Sequence, residues 1–368
     1  MPDDDLPGLG ARPLGAATAR ARRRRGLRIA AWTAAGLVLL GASGAGYMYF
    51  RLNDNIHRVN IDSALHQERR PARLDNGAMD ILVLGSDSRS GADSVYGRDT
   101  GTARSDTAMV IHLNRGHTRA TVVSIPRDTL VHRPPCTTPR GGTAPAADEV
   151  MFNSAYEVGG PACAVKTVES LSGLRMDHYV EVDFSGFRHL VDALGGVPLT
   201  TTAAIHDPDS HLDLPAGTHT LNGAQALGLV RTRHGVADGS DLGRIKLQQA
   251  FLRALLDRIG GLGLLTSPGK LFSVADTATS AVTTDTGLGS VNKLMNLAQS
   301  VQHIDSRHTH TVTLPVEYAP TDPNRVRPIA SGATMVWAAL RADRPVPPAA
   351  VRDSVAEKSP ASKVVGRP

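Results

Sequence analysis

The stretch MDILVLGSD, residues 79–87, places large apolar side chains at five of its first six positions and then breaks off at a glycine, a serine and an aspartate. A short apolar run closed by turn residues has the length and make-up of a buried strand. TAMVIHLN (107–114), RATVVSIPRD (119–128) and HYVEVDF (178–184) read the same way. SGFRHLVDALGG (185–196) predicts a helix stopped by Gly195 and Gly196, and Asn222 caps a second in NGAQALGLV. Ser240 or Asp241 caps a long helix running to about Gly260, SVNKLMNLAQSVQHI (290–304) is a further helix, and HTHTVTLPVEYA (308–319) is a late strand. Strands alternating with helices predict an α/β domain, a mixed sheet packed by helices on both faces. No internal repeat is visible.

The 368 residues, 41% hydrophobic and 20% charged, suffice for one large domain or two small ones. A net charge of +5 raises the question of a nucleic-acid partner, and its location answers it. Residues 1–28 hold seven arginines against Asp3, Asp4 and Asp5, which leaves the other 340 residues at +1. A basic footprint spread over the domain is therefore absent, and no nucleic acid is expected.

IAAWTAAGLVLLGASGAGYMYF (29–50) carries no charge and is long enough to cross a hydrocarbon core of ~30 Å as one transmembrane helix. The run RARRRR precedes it and Trp32, Tyr47 and Tyr49 lie near its ends, so residues 1–28 are expected in the cytoplasm as a basic tail. A cleaved signal peptide is the alternative, and both readings export everything from Arg51 onward. Residues 51–76 suit a stalk, a linker or a first peripheral element. The domain proper is expected over 77–344, and PVPPAAVRDSVAEKSPASKVVGRP (345–368) reads as an unstructured tail. Cys136 and Cys163 both fall in the exported part, where an isolated pair is more often bridged than free; two buried thiols are the alternative.

Charged residues gather where strands give way to loops, the edge at which open α/β sheets bind ligands. Asp87 and Arg89 follow the first strand, Arg104 and Asp106 open the second, and Arg127 and Asp128 end the third. LVRTRHGVADGSDLGRIKLQQAFL (229–252) adds Arg231, Arg233, Asp241, Arg244 and Gln248. Arginine forks bind phosphate oxygens bidentately, and carboxylates in the same place would cancel them unless a divalent cation lay between. A pyrophosphate with Mg²⁺ meets that description. Arg244 and Gln248, four residues apart, share one face near a helix N-terminus, which itself favours an anion.

Each Arg–Asp pair taken alone reads as a surface ion pair contributing ~0–1 kcal/mol, and the collection at strand ends is what shifts the reading. Ser86 and Ser124 lie in no G-x-S-x-G. Neither cysteine sits in a C-x-x-C, and the histidines lack metal-ligand spacing.

In order along the chain, GSDSR, RSDTAMV, SIPRD, FNSAYEVGGPAC, MDHYVEVDFSGF, LVDALGGV, LNGAQAL and RTRH followed by SDLGRIKLQQ resemble the successive motifs of the LytR-CpsA-Psr family over residues ~79–257. The resemblance implies a single-pass cell-membrane protein whose outer domain transfers a glycopolymer, of teichoic acid, capsule or arabinogalactan type, from a polyprenyl-pyrophosphate carrier to peptidoglycan, with Mg²⁺ or Mn²⁺. It implies Asp87 and Asp106 as metal-facing and Arg89, Arg104, Arg127, Arg231, Arg233, Arg244 and Gln248 as pyrophosphate-contacting, with Arg127 and Asp106 at the reacting atoms. Where many members have a basic residue, this chain has Leu247, which implies a missing contact compensated by Lys246. Lys166 is a further candidate phosphate ligand. A lipid-pyrophosphate hydrolase and a non-enzymatic envelope regulator are the alternatives.

Overall fold

A computed structural model describes residues 15–65, 70–86, 105–233, 236, 240–263, 267–359 and 364–366, with side chains not described for 15–31 and at Ser86, Ser105, Asp106, Pro268 and Gly366. The chain divides into two compact units, residues 1–51 and 52–368. Helix α1 (Gly15–Asn55) fills the described part of the first. From Trp32 to Asn55 it is long and apolar enough to cross a membrane, with Trp32, Leu37 and Leu40 exposed.

The second unit opens with β1 (His57–Val59) and the single-turn α2 (Ile61–Ala64), then β2 (Met79–Ser86), β3 (Ser105–Leu113) and β4 (Ala120–Ile125). Two small hairpins interleave: β5 (Leu130–Arg133) pairs with β8 (Ala147–Met151), and β6 (Cys136–Thr137) with β7 (Thr143–Ala144). Next come α3 (Phe152–Ser172), β9 (His178–Asp183), α4 (Phe184–Ala193) and β10 (Val197–Thr201). The hairpin of β11 (Ile205–Asp207) and β12 (Leu212–Leu214) precedes β13 (Gly217–Leu221), α5 (Gly223–Arg231), α6 (Asp241–Gly261) and α7 (Pro268–Ser280). The chain ends through β14 (Val282–Asp285), α8 (Val291–Ser300), β15 (Thr309–Thr313), the hairpin β16 (Val316–Ala319) and β17 (Asp322–Pro328), α9 (Ala330–Arg341) and β18 (Val365–Gly366).

The central sheet has the order β1-β14-β9-β2-β3-β4-β15 and is mixed: β2 runs parallel to β9 and antiparallel to β3, and β4 runs parallel to β15. Leu82, Leu84, Val110, Val123 and Ile125 point to the face covered by α3 and α9, where Val165, Val168, Val336, Trp337 and Leu340 complete the main core. The alternate residues Ile81, Leu113 and Ala120 face α8. On that same face α6 reaches the strand ends, its Gln249 Nε2 donating to Ser124 Oγ at 3.1 Å and to Thr313 Oγ1 at 3.2 Å. The expected sheet with helices on both faces is thus present. A further cluster joins α4, α5 and α6 to β10 and β12 through Val191, Leu199, Leu212, Leu229 and Phe251.

Three expectations need correction. The single late strand over 308–319 is two, β15 and β16 in different sheets, because Pro315 has no N–H to continue a ladder. Residues 51–76 are only partly a linker: Ile56, Ile61 and Leu65 are buried, and Arg70 clamps the buried Glu169, its Nη2 at 2.6 Å from Oε1. The stretch from Pro345, expected to be unstructured, packs Val346, Ala350 and Ala356 into the main core, and Val355 N donates to Val316 O at 3.0 Å. Its small apolar residues recur often enough to bury a face, which outweighs its proline content.

Candidate active site

Pairing fixes which chain ends meet. Ser86 stands opposite Ser105 and Asp183, and Ala108 opposite Ile125, so the ends of β2, β9 and β4 and the start of β3 share one edge of the sheet. Asp106 therefore lies on that edge by its backbone position, while its side chain is outside the described set. Asp87, Arg89 and Arg104 also lie outside the described residues.

Arg127 follows β4 at this edge. Its Nε lies 3.6 Å from Asp128 Oδ2 and 3.7 Å from Asp241 Oδ1. Asp241 is the first residue of α6, which Ser240 caps by accepting from Gly243 N. The same Asp241 oxygen contacts Arg244 Nη2 one turn on, so a single carboxylate stands between two arginines. Arg244 is 4% exposed, and among the described residues both Asp241 oxygens are buried without a hydrogen bond, so Asp241 meets these two arginines as ion pairs. Gln248, one further turn along, donates from Nε2 to Thr107 Oγ1 at 3.0 Å and to Val230 O at 2.9 Å. It thereby joins α6 both to β3 and to the residue before Arg231.

Arg231 ends α5, and its guanidinium carbon lies 4.7 Å from the centre of the Phe184 ring. Between Arg231 and Arg233, Thr232 is fully buried and anchored, its Oγ1 donating to Gly228 O at 2.8 Å. Arg233 N donates to the buried Asp207 at 2.9 Å, which fixes the backbone where the second arginine departs. Arg127, Arg231, Arg244 and Gln248 are thus brought to one edge.

Two candidates do not join them. Lys166 Nζ donates to Pro135 O at 2.6 Å, in the loop beside Cys136, and serves that loop. Leu247 is 0% exposed inside the α4–α5–α6 cluster, so it is a core residue and not a lost phosphate contact, and Lys246 compensates nothing: it pairs with Glu357 at 2.9 Å. Cys136 and Cys163 form a disulfide with Cα atoms 5.5 Å apart.

Sequence reasoning missed two neighbours of Arg127. Arg325, on β17, lies 3.7 Å from Asp128 because β17 runs beside the segment after β4. Asn153, second in α3, donates its backbone N–H to Arg127 O at 3.1 Å and is 6% exposed. Asn153 sits in a quoted motif, so its position there was the available signal; Arg325 had none beyond its charge.

A family model for the LytR_cpsA_psr family matches residues 48–338. The chain belongs to that family. It is 33% identical over 305 residues to the cell wall biosynthesis protein LcpA of Corynebacterium glutamicum, a match covering 76% of this chain and 58% of LcpA's own length. It is 31% identical over 245 residues to the polyisoprenyl-teichoic acid–peptidoglycan teichoic acid transferase TagT of Bacillus subtilis, covering 64% of this chain and 70% of TagT. A LytR-Csp2A-Psr enzyme from Actinomyces oris superposes with a TM-score of 0.58 at 22% identity, over 77% of this chain and 95% of that one, which speaks for the shared fold.

Proposed function

We propose that this chain transfers a glycopolymer, with its phosphate, from a polyprenyl-pyrophosphate carrier to peptidoglycan. The observation that carries the reading is the convergence of Arg127, Arg231, Arg244 and Gln248 on one sheet edge, from three separate elements. Burial strengthens each charge there, and fixed arginines stabilise a phosphoryl group without reorganising during the reaction. Membership of a family that includes a named teichoic acid transferase supports the same reading.

In the reaction, a peptidoglycan hydroxyl oxygen forms a new bond to the sugar-linked phosphorus. The bond from that phosphorus to the bridging oxygen breaks, and polyprenyl phosphate leaves with the electron pair. The pyrophosphate bond supplies the driving force, so no nucleotide is needed. Arg231, Arg233 and Arg244 hold the diphosphate oxygens, Arg127 faces the transferred phosphorus, and Gln248 keeps the α5 and α6 contributions in register. Asp241 bridges Arg127 and Arg244 and offsets their mutual repulsion. Asp106 takes the proton of the attacking hydroxyl.

The donor set at this edge suits a hard divalent cation in kind, since it offers carboxylate oxygens and no thiolate. Among the described residues no three His, Cys, Asp or Glu side chains cluster as a cage, and Asp128 and Asp241 are engaged by arginines. Asp87 and Asp106, which the resemblance to the family implies as metal-facing, are the residues proposed to hold Mg²⁺ or Mn²⁺, whose charge would offset that of the diphosphate. The apolar helix before the domain is proposed as a membrane anchor with the N-terminus inside, so a reporter fused after Pro368 should be active only outside the cytoplasm.

The full-length protein in detergent, incubated with Mg²⁺, a short lipid-pyrophosphate glycan and peptidoglycan oligomers, tests the reaction by mass spectrometry. A peptidoglycan oligomer gaining glycan plus phosphate supports transfer. Phosphorylated free glycan with unmodified peptidoglycan would make the protein a hydrolase instead.

A further inference from the structure

At the edge of the sheet opposite the arginine cluster, where β3 ends and β4 and β15 begin, a cavity of about 220 Å³ opens. It lies between the β3–β4 turn, the start of β15 and the turn after α9. Its wall carries Arg119, Arg307, Arg344, His308 and His310, with Asp343 as the facing carboxylate.

The local charges do not all cancel. Asp343 is spent on other partners, Oδ1 lying 3.3 Å from His112 Nε2 and Oδ2 accepting from Arg115 N at 3.0 Å. Arg307 and His308 are both taken up by Asp305. Arg119 and Arg344 are left, and among the described residues neither makes an ion pair.

Both arginines stand on turns that are already fixed. Asn114 Oδ1 accepts from Thr118 N and Arg119 N, each at 2.8 Å, and closes the β3–β4 turn. After α9, Arg344 N donates to Ala339 O at 2.8 Å and Asp343 N to Leu340 O at 2.9 Å, with Asp343 at φ 51°. That is a Schellman closure with an aspartate where glycine is usual, a conformation that costs a non-glycine residue energy. Here the aspartate's carboxylate secures His112 and the neighbouring turn. Two guanidinium groups from separate turns line one cavity whose carboxylate, Asp343, is hydrogen-bonded to His112 and to Arg115 N rather than to either of them, and such a pair matches an oxyanion bound bidentately.

We propose that this cavity is a second anion site, for a phosphate-type group carried by the glycan that is being transferred. β4 and its flanks separate it from Arg127 by about 25 Å of extended chain, so the two edges would hold different units of one long polyanion. The ligand's identity rests on the transfer reading above; the anion site itself rests on the geometry of the cavity.

The test is calorimetric titration of the full-length protein in detergent with a short glycerol phosphodiester oligomer, with inorganic phosphate, and with a neutral oligosaccharide of matched length. It is run on the wild type and on Arg231→Gln/Arg233→Gln, which disables the other edge. The phosphodiester oligomer is expected to bind in both backgrounds and the neutral oligosaccharide in neither. Arg119→Gln/Arg344→Gln should weaken oligomer binding at least tenfold, roughly the loss of one charged hydrogen bond, and Arg119→Lys/Arg344→Lys should lose less. Both side chains are exposed, so these variants should fold, with circular dichroism as the check. Undiminished oligomer binding in Arg119→Gln/Arg344→Gln would overturn the site. Equal affinity for inorganic phosphate and the oligomer would overturn its assignment to a glycan. Because binding is read without turnover, a protein that binds the oligomer here yet transfers nothing would count against the transfer reading alone.

Discussion

Arg231 lays its guanidinium against the ring of Phe184, 4.7 Å from the ring centre, at the junction of β9 and α4. The ring sets the plane of the fork, which a bidentate phosphate contact requires and a lysine cannot reproduce. Arg231→Lys and Arg233→Lys should each lower transfer roughly 10- to 150-fold, the worth of a charged hydrogen bond. Phe184→Leu should cost roughly 2- to 30-fold by removing the stacking face alone. Because the arginines act on one ligand, the double variant should be non-additive. Transfer rates with folding checked by circular dichroism decide it, and wild-type turnover in the double variant would sink the pyrophosphate clamp.

Leu247 makes a contrasting case. An arginine there would be a gain if the position faced the phosphates, but it faces Val191, Leu199 and Phe251 in a closed cluster. An unpaired guanidinium in that core has no partner and no route to water, so Leu247→Arg should cost upward of ~3 kcal/mol. Leu247→Met keeps volume and polarity and should cost less than ~1.5 kcal/mol. Thermal melts of the two variants separate these outcomes; equal melting temperatures would mean the cluster is open.

The error at Leu247 shows where sequence reading stops. Strand ends were legible because a buried strand's composition changes abruptly at Asp87, Asp106 and Arg127, and capping residues marked α4, α5 and α6. Which way a helical residue points depends on what packs around all sides of the helix. On α6, Arg244 and Gln248 face the site while Leu247, between them in sequence, faces the core. No helix is predicted over the first half of Phe152–Ser172, because Gly159, Gly160 and Pro161 interrupt its pattern; the two halves run on across a kink with Gly160 at φ 61°, and the first half carries Asn153. Arg325 was invisible for a different reason, since its neighbour Asp128 is brought to it only by the pairing of β17 with the segment after β4.

His112 offers a pH handle away from the reaction. It is 3% exposed, with Nδ1 2.8 Å from Asp80 and Nε2 3.3 Å from Asp343. Burial alone would lower its basicity, but the hydrogen bonds and charges of Asp80 and Asp343 outweigh that and raise it above the ordinary imidazole value. The folded protein therefore keeps a proton that the unfolded chain releases. That stabilisation is fully present below about pH 6.5 and is lost as pH rises through the folded value. Burial raises the buried Asp80 carboxyl, against the opposing His112, and so adds proton uptake of the same sign. Denaturant midpoints between pH 6 and 8.5 should fall for the wild type and flatten in His112→Gln. A wild-type midpoint that climbs over this range would contradict the assignment.

The Cys136–Cys163 bridge links the β6–β7 hairpin to α3 just past its kink, with Gly159 directly beneath it. A Cβ at Gly159 would come within 2.7 Å of Cys163 Cβ and 2.8 Å of Thr137 O, so this close approach admits glycine only. The N-terminal end of α3 carries the Asn153 N–H that holds the Arg127 carbonyl, which connects the bridge to the site by one rigid half-helix. Closing this loop should be worth about 3 kcal/mol in the chain-entropy model. Cys136→Ser should therefore lower the melting temperature by about 5–10 °C, and Gly159→Ala should destabilise while the bridge is intact. If the half-helix positions Arg127, transfer measured well below the melting point should also fall in both variants. Stability lost with turnover unchanged would confine the bridge to holding the hairpin. Free thiols in protein recovered from its native compartment would remove the bridge altogether, and with it one support for placing the domain outside the cytoplasm.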